Sequence, residues 1–197
     1  MASDKNKFGR LPGDLTQNEM IERMIRVNHA GEYGAKRIYE GQLSVLADTK
    51  EGEVIREMEM AERRHLEKFS ELIVKRRVRP TVLSPLWHVA GYALGFATAK
   101  LGKEAAMACT VAVEEVIEEH YADQYDRLNA IPEKQSETEL KSIIEDFREE
   151  EIEHRNIALD NDALDAPGYP VLTKAIKSGS RLAIWPVSYT HLRAHET

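Results

Sequence analysis

The sequence predicts an all-α fold, a bundle of long amphipathic helices, on three observations. Apolar residues recur at alternating steps of three and four along four long stretches, the period of one helix face. Two of those stripes carry a Glu-x-x-His segment, Glu62-Arg63-Arg64-His65 and Glu151-Ile152-Glu153-His154, where apolar residues would otherwise sit. Start and stop signals separate the stretches: capping-box patterns at Thr16–Glu19 and Ser136–Glu139, and breaks at Asp48-Thr49, Leu101-Gly102-Lys103 and Ile131-Pro132.

The first helix is expected from about residue 17 to 46, with the stripe Ile21, Ile25, Glu32, Ala35, Tyr39 and Leu43. Alone, Glu32 would read as a flank glutamate. The second, 51–76, carries Ile55, Met58, Glu62, His65, Phe69 and Leu72, so two ionisable groups fill consecutive core positions. Burying a carboxylate without a partner is costly, so either a metal or a buried ion pair must compensate. After the basic cluster Lys75, Arg76, Arg77 and Arg79, residues 81–99 contain no Asp, Glu, Lys or Arg. Ser84-Pro85 predicts a helix start, with Ser84 as the cap. Its apolar side chains Leu86, Trp87, Val89, Tyr92, Leu94 and Phe96 predict a helix lying in or against a bilayer surface, since Gly91, Gly95 and His88 dilute it for a span. The other reading is a buried helix in which Gly91 and Gly95 allow close packing.

A helix over 104–129 carries Met107, Thr110, Glu114, Ile117 and Tyr121, and Glu114 follows a charge-free run, 105–113. Glu115, about 100° round the helix, is expected at the surface. Ser136 is expected to cap the next helix, with the stripe Leu140, Ile144, Phe147, Glu151 and His154. Glu149, Glu150 and Glu153 are expected to point elsewhere. A short last helix spans about 171–184, and Pro186 interrupts it.

At 197 residues the chain can hold one domain with a real core. We place that domain at 16–185, after a flexible N-terminus, 1–15. Residues 186–197 form a tail outside the design. The run 188–197 reads as translated adapter, so His191 and His195 are set aside. Net charge −7 argues against nucleic acid as a partner. One cysteine, Cys109, excludes an internal disulfide and a Cys-rich zinc or rubredoxin-type module, and fits a reducing compartment. The polar N-terminus lacks the apolar core of a signal peptide, which predicts a cytosolic location.

The candidate ligands fall in the order Glu32, Glu62, His65, Glu114, Glu151, His154: a lone glutamate and then Glu-x-x-His, twice over. On a helix, positions i and i+3 share a face, so each pair aims a carboxylate and an imidazole at one point. Four carboxylates and two imidazoles suit iron or manganese with positions open for oxygen, whereas zinc would recruit more His or Cys. This is the ligand set of ferritin-like di-iron carboxylate bundles. The fold expected is therefore a ferritin-like four-helix bundle with a di-iron core, plus the membrane-facing helix and the short C-terminal helix.

Several strings narrow this further: residues 26–35 (Arg-Val-Asn-His-Ala-Gly-Glu-Tyr-Gly-Ala), 77–83 (Arg-Val-Arg-Pro-Thr-Val-Leu), 101–115 and 147–154 (Phe-Arg-Glu-Glu-Glu-Ile-Glu-His). With them the chain, over residues 25–185, resembles the demethoxyubiquinone hydroxylase family of ubiquinone biosynthesis. The resemblance implies that Glu32, Glu62 and His65 hold one iron and Glu114, Glu151 and His154 the other, with Glu62 and Glu151 bridging. His120 and Tyr121 match a family His-Tyr pair in the outer shell. The implied reaction is monooxygenation of the benzoquinol ring of a polyprenyl demethoxy-ubiquinol, with O₂ as co-substrate and NADH as a reductant. No Gly-rich nucleotide fingerprint appears in the sequence. The resemblance also implies a peripheral position on a membrane, the cytoplasmic face in a bacterium or the mitochondrial inner membrane, beside other ubiquinone-biosynthesis proteins. Two rivals share the bundle: a ferroxidase without quinol hydroxylation, and a non-enzymatic bundle whose Glu and His residues form buried salt bridges. A rubrerythrin-like peroxidase would need the Cys-rich module the chain lacks.

Overall fold

The computed structural model describes residues 15–189, and among these all regular structure is helical. The readings of 1–14 and 190–197, with His191 and His195, lie outside the described residues. Six helices follow in order: α1 (Gln17–Leu46), α2 (Lys50–Lys75), α3 (Ser84–Leu101), α4 (Lys103–Asn129), α5 (Thr138–Asp160) and α6 (Tyr169–Tyr189). Single 3₁₀ turns at Glu133–Gln135 and Ala163–Asp165 precede α5 and α6. The central four are α1, α2, α4 and α5. α1 packs on α2 and α4 on α5, while α3 lies along α1 and α6 along α4.

Local chemistry starts the first two helices. The Thr16 hydroxyl accepts the Glu19 amide at 3.1 Å, and the Glu19 carboxylate accepts the Thr16 amide at 2.7 Å, the reciprocal box that satisfies two orphan donors. Thr49 caps α2 through the Gly52 amide at 3.0 Å. The core is drawn from the predicted stripes. Ile25, Ile55, Phe69, Leu72, Leu140 and Ile144 are all buried, each contributing about 1.5–3 kcal/mol of transfer free energy.

Three local expectations fail. Ser84 does not cap α3: Leu83 holds the cap position, and the Ser84 hydroxyl donates to the Thr81 carbonyl instead. The second capping box does not form, because Glu139 reaches across to Lys75, 2.7–2.9 Å away, and α5 begins two residues after Ser136. Pro186 does not end α6, which runs to Tyr189. The backbone bond Pro186 removes would have been accepted by Leu182, in an exposed turn where water can serve, and buried Val187 anchors the end of the helix.

α3 is packed on one face and exposed on the other. Gly91, Gly95, Thr98 and Ala99 are buried, whereas Leu86, Val89 and Phe96 are exposed, the first two by more than 60%. Trp87, Tyr92 and Leu94 are half-buried at the boundary. The glycines let two backbones touch: a Cβ on Gly95 would lie 1.9 Å from the Ile38 carbonyl oxygen, and one on Gly41 2.2 Å from that of Tyr92. Gly95→Ala is therefore expected to destabilise the protein by at least about 1–3 kcal/mol, read as a lower urea midpoint at unchanged slope. Among the described residues no helix is long and apolar enough to cross a membrane.

Candidate metal centre

The centre is built from the middle of the four core helices. Glu32 stands on α1, Glu62 and His65 on α2, Glu114 on α4, and Glu151 and His154 on α5, all of them buried. The helical period that fills the core brings them inward together. They form two overlapping groups, Glu32-Glu62-His65-Glu151 and Glu62-Glu114-Glu151-His154, with one ligand atom from each residue lying within 4.8 Å of the others in its group. Glu62 and Glu151 belong to both, as a bridging pair must.

The atoms converge on shared points rather than on one another. His65 Nδ1 lies 3.1 Å from Glu151 and 3.5 Å from Glu32, and His154 Nδ1 lies 3.2 Å from Glu62. None of these contacts has hydrogen-bond geometry. Both oxygens of Glu62 and of Glu151, one of Glu32, one of Glu114 and Nδ1 of each imidazole are left without a hydrogen-bond partner. Buried lone pairs in that number are a large uncompensated cost unless a cation occupies the space between them. The residues thus fit two divalent ions with O/N ligation; the His65–Glu151 and His154–Glu62 ion pairs by themselves leave carboxylate oxygens of Glu32, Glu62, Glu114 and Glu151 without a hydrogen-bond partner.

Electrostatics says the same. Burial and the neighbouring Glu151 carboxylate hold Glu62 and Glu114 well above the usual carboxylate range. Burial opposes charge on His65, yet Glu151 and Glu32 outweigh it and push the imidazole up to about 12. Burial likewise opposes charge on Glu151, but His154 and His65 bring its carboxyl down to about 2. With all four carboxylates ionised the site would carry more negative charge than its two imidazoles balance, and that excess is what two metal ions would neutralise.

Two tyrosines hold the lone glutamates, crosswise. Tyr121 of α4 donates to Glu32 of α1, and Tyr39 of α1 donates to Glu114 of α4 at 2.5 Å. Burial, with the surrounding carboxylates, raises both phenols well above their ordinary value, so both remain donors. Tyr121 stood among the sequence candidates; the role of Tyr39 was missed. A signal existed: Tyr39 follows Glu32 by seven residues, and Tyr121 follows Glu114 by seven. Seven residues return a helix to nearly the same face. Tyr121→Phe is expected to weaken metal affinity about 10–100-fold while the helices persist, measured by competition with a chelator.

His120 is half-buried and faces a small cavity that also reaches Glu32 and Tyr121. Glu150, expected to point away, lies 3.2 Å from His65 Nε2 and pairs with Arg64 at 3.0 Å. Phe147 stacks on the His65 ring at 3.9 Å. Glu115 is half-buried and paired with Lys177 of α6. Beside the centre, an apolar cavity of about 50 Å³ lies between α1, α3, α4 and α6, with Trp87, Ile184 and Val187 in its wall.

The sequence also matches known proteins along most of its length. The sequence model of the family described as Ubiquinone biosynthesis protein COQ7 matches residues 19–187. A Rhodospirillum rubrum protein named 3-demethoxyubiquinol 3-hydroxylase is 54% identical over 182 residues, 92% of this chain and 84% of that protein. A Homo sapiens protein named NADPH-dependent 3-demethoxyubiquinone 3-hydroxylase, mitochondrial, is 57% identical over 173 residues, 87% of this chain and 79% of that one. A Dictyostelium discoideum protein of the same name is 52% identical over 183 residues, 92% and 82%.

Proposed function

This chain belongs to the family of the ubiquinone biosynthesis protein COQ7, and on that premise we propose that it hydroxylates the demethoxyubiquinol ring with two iron ions and O₂. Relatives that align along 87–92% of it are named as 3-demethoxyubiquinol or 3-demethoxyubiquinone 3-hydroxylases. Glu32, Glu62 and His65 would hold one iron, Glu114, Glu151 and His154 the other, and Glu62 and Glu151 would bridge. The observation that carries the metal reading is the set of buried, unpartnered lone pairs on all six residues. When bound, the iron pair supplies O₂ activation and the electron transfers of the reaction.

The protein's share is placement. Tyr39 and Tyr121 hold Glu114 and Glu32 in orientation. The apolar cavity between α1, α3, α4 and α6 would offer a quinol ring an apolar approach to the Glu32 side of the centre. Relatives are named NADPH-dependent, where the sequence resemblance implied NADH; in either form the reductant would be a nicotinamide nucleotide arriving from solution.

The substrate's polyprenyl tail supports a peripheral membrane position through the exposed face of α3. Exposed Leu182 and Trp185 of α6 would extend that face. Eukaryotic relatives are named mitochondrial, which supports the inner mitochondrial membrane there, and the cytoplasmic face of the cell membrane would be the bacterial equivalent. A soluble ferroxidase shell gives no reason for such a face.

Complementation tests the reading. In a host lacking this hydroxylase, the chain is expected to restore ubiquinone and clear the demethoxy precursor. Persistent precursor, with iron loaded normally, would refute it.

A further inference from the structure

Two cavities meet at Gly31. The outer one is apolar and lies between Trp87 of α3, Ile184 and Val187 of α6, and the face of α1. The inner one is smaller and reaches Glu32 and Tyr121. Val27, Gly31, Ile117 and Ile184 line both, so these four form the neck between them. Gly31 is the member of the four without a side chain.

The glycines of α1 differ in why they are glycine. At Gly41 an added Cβ would lie 2.2 Å from the Tyr92 carbonyl oxygen, so packing against α3 requires its absence. At Gly31 an added Cβ would meet no atom within 4 Å. Glycine weakens a helix interior relative to alanine, and here no backbone approach repays it. What the missing side chain provides is open space at the neck.

We propose that Gly31 determines which substrates reach the metal centre: its lack of a side chain lets a planar quinol ring pass from the apolar outer cavity to the face bounded by Glu32. This rests on the quinol reading above. It places the selective constriction on α1, one residue from a metal ligand, and makes ring width the property selected.

The test uses the iron-loaded full chain carrying Gly31→Ala or Gly31→Leu, with Gly179→Ala as control. Gly179 is an exposed glycine of α6 in the wall of neither cavity, and an added Cβ there would likewise meet no atom within 4 Å. All three variants are expected to keep the iron content and melting temperature of the parent, or to melt slightly higher. Gly31→Leu is expected to lower kcat/KM for a short-chain demethoxyubiquinol at least about 100-fold, with Gly31→Ala between it and the parent and Gly179→Ala near the parent. A short-chain ubiquinone, followed by quenching of tryptophan fluorescence, is expected to bind Gly31→Leu more weakly by a similar factor. Turnover and binding of Gly31→Leu within about twofold of the parent would overturn the proposal, as would loss of activity in step with iron or melting temperature. If the parent binds the quinone but does not hydroxylate, the functional reading fails while the binding comparison still judges the neck.

Discussion

Protein carrying Glu62→Ala or Glu151→Ala is expected to hold at most about one iron per chain after anaerobic reconstitution, and to lose hydroxylation by at least about 10³-fold. Each residue belongs to both groups of converging ligands, so either truncation damages both ions at once. The two variants should part company when metal is absent. Glu151 is the carboxylate that His65 and His154 both approach, so its removal weakens the pairing of two buried imidazoles, leaving Glu32 beside one and Glu62 beside the other. Glu62 is held well above the usual carboxylate range by burial and by Glu151, so its loss relieves repulsion as well as leaving a cavity. Metal-free Glu151→Ala should therefore unfold at lower denaturant than metal-free Glu62→Ala. Glu153→Ala, on the exposed side of the same helix, supplies the control. Near-normal iron in both ligand variants would remove the assignment.

The candidate ligands stood out in the sequence because they break a rule. A Glu and a His in successive positions of an otherwise apolar stripe conflict with burial unless something compensates, and periodicity alone exposes the conflict. Helix extents were legible for the same reason, with Thr16, Thr49 and the apolar period agreeing. What stayed hidden depends on partners remote in sequence. Ser136 and Glu139 have the right spacing for a box, but Lys75 on α2 offers Glu139 a stronger partner. Glu150 looks like one of a solvated acidic run until His65 of α2 arrives beside it. Tyr39 and Tyr121 repeat the spacing of the internal duplication, yet only the crossing of α1 over α4 shows that each serves the other helix's glutamate. Gly31 and Gly41 are indistinguishable as letters; the space around each Cβ position separates them.

A double substitution, Leu86→Glu with Val89→Glu, is expected to release the protein from vesicles while leaving iron content and melting temperature unchanged. Both side chains are exposed, so the folded core does not depend on them. If each inserts into the bilayer boundary, it contributes about 1.5–3 kcal/mol, and losing two lowers the partition coefficient by about 100-fold or more. The basic cluster is expected to add less than its sequence suggests. Lys75 is already paired with Glu139 and Arg76 with Glu137, so on the membrane proposal only exposed Arg77 and Arg79 would remain to face anionic headgroups. At about 1 kcal/mol per basic residue near the surface, raising the salt should weaken binding less than the apolar substitutions do. Sedimentation with vesicles of neutral and of mixed anionic lipid separates the two contributions. Activity on a short-chain quinol should survive the double substitution, because the outer cavity and its Trp87 wall are untouched, whereas activity on a long-chain quinol in vesicles should fall with binding. Unchanged vesicle binding in the double variant would place the membrane contact elsewhere on the molecule.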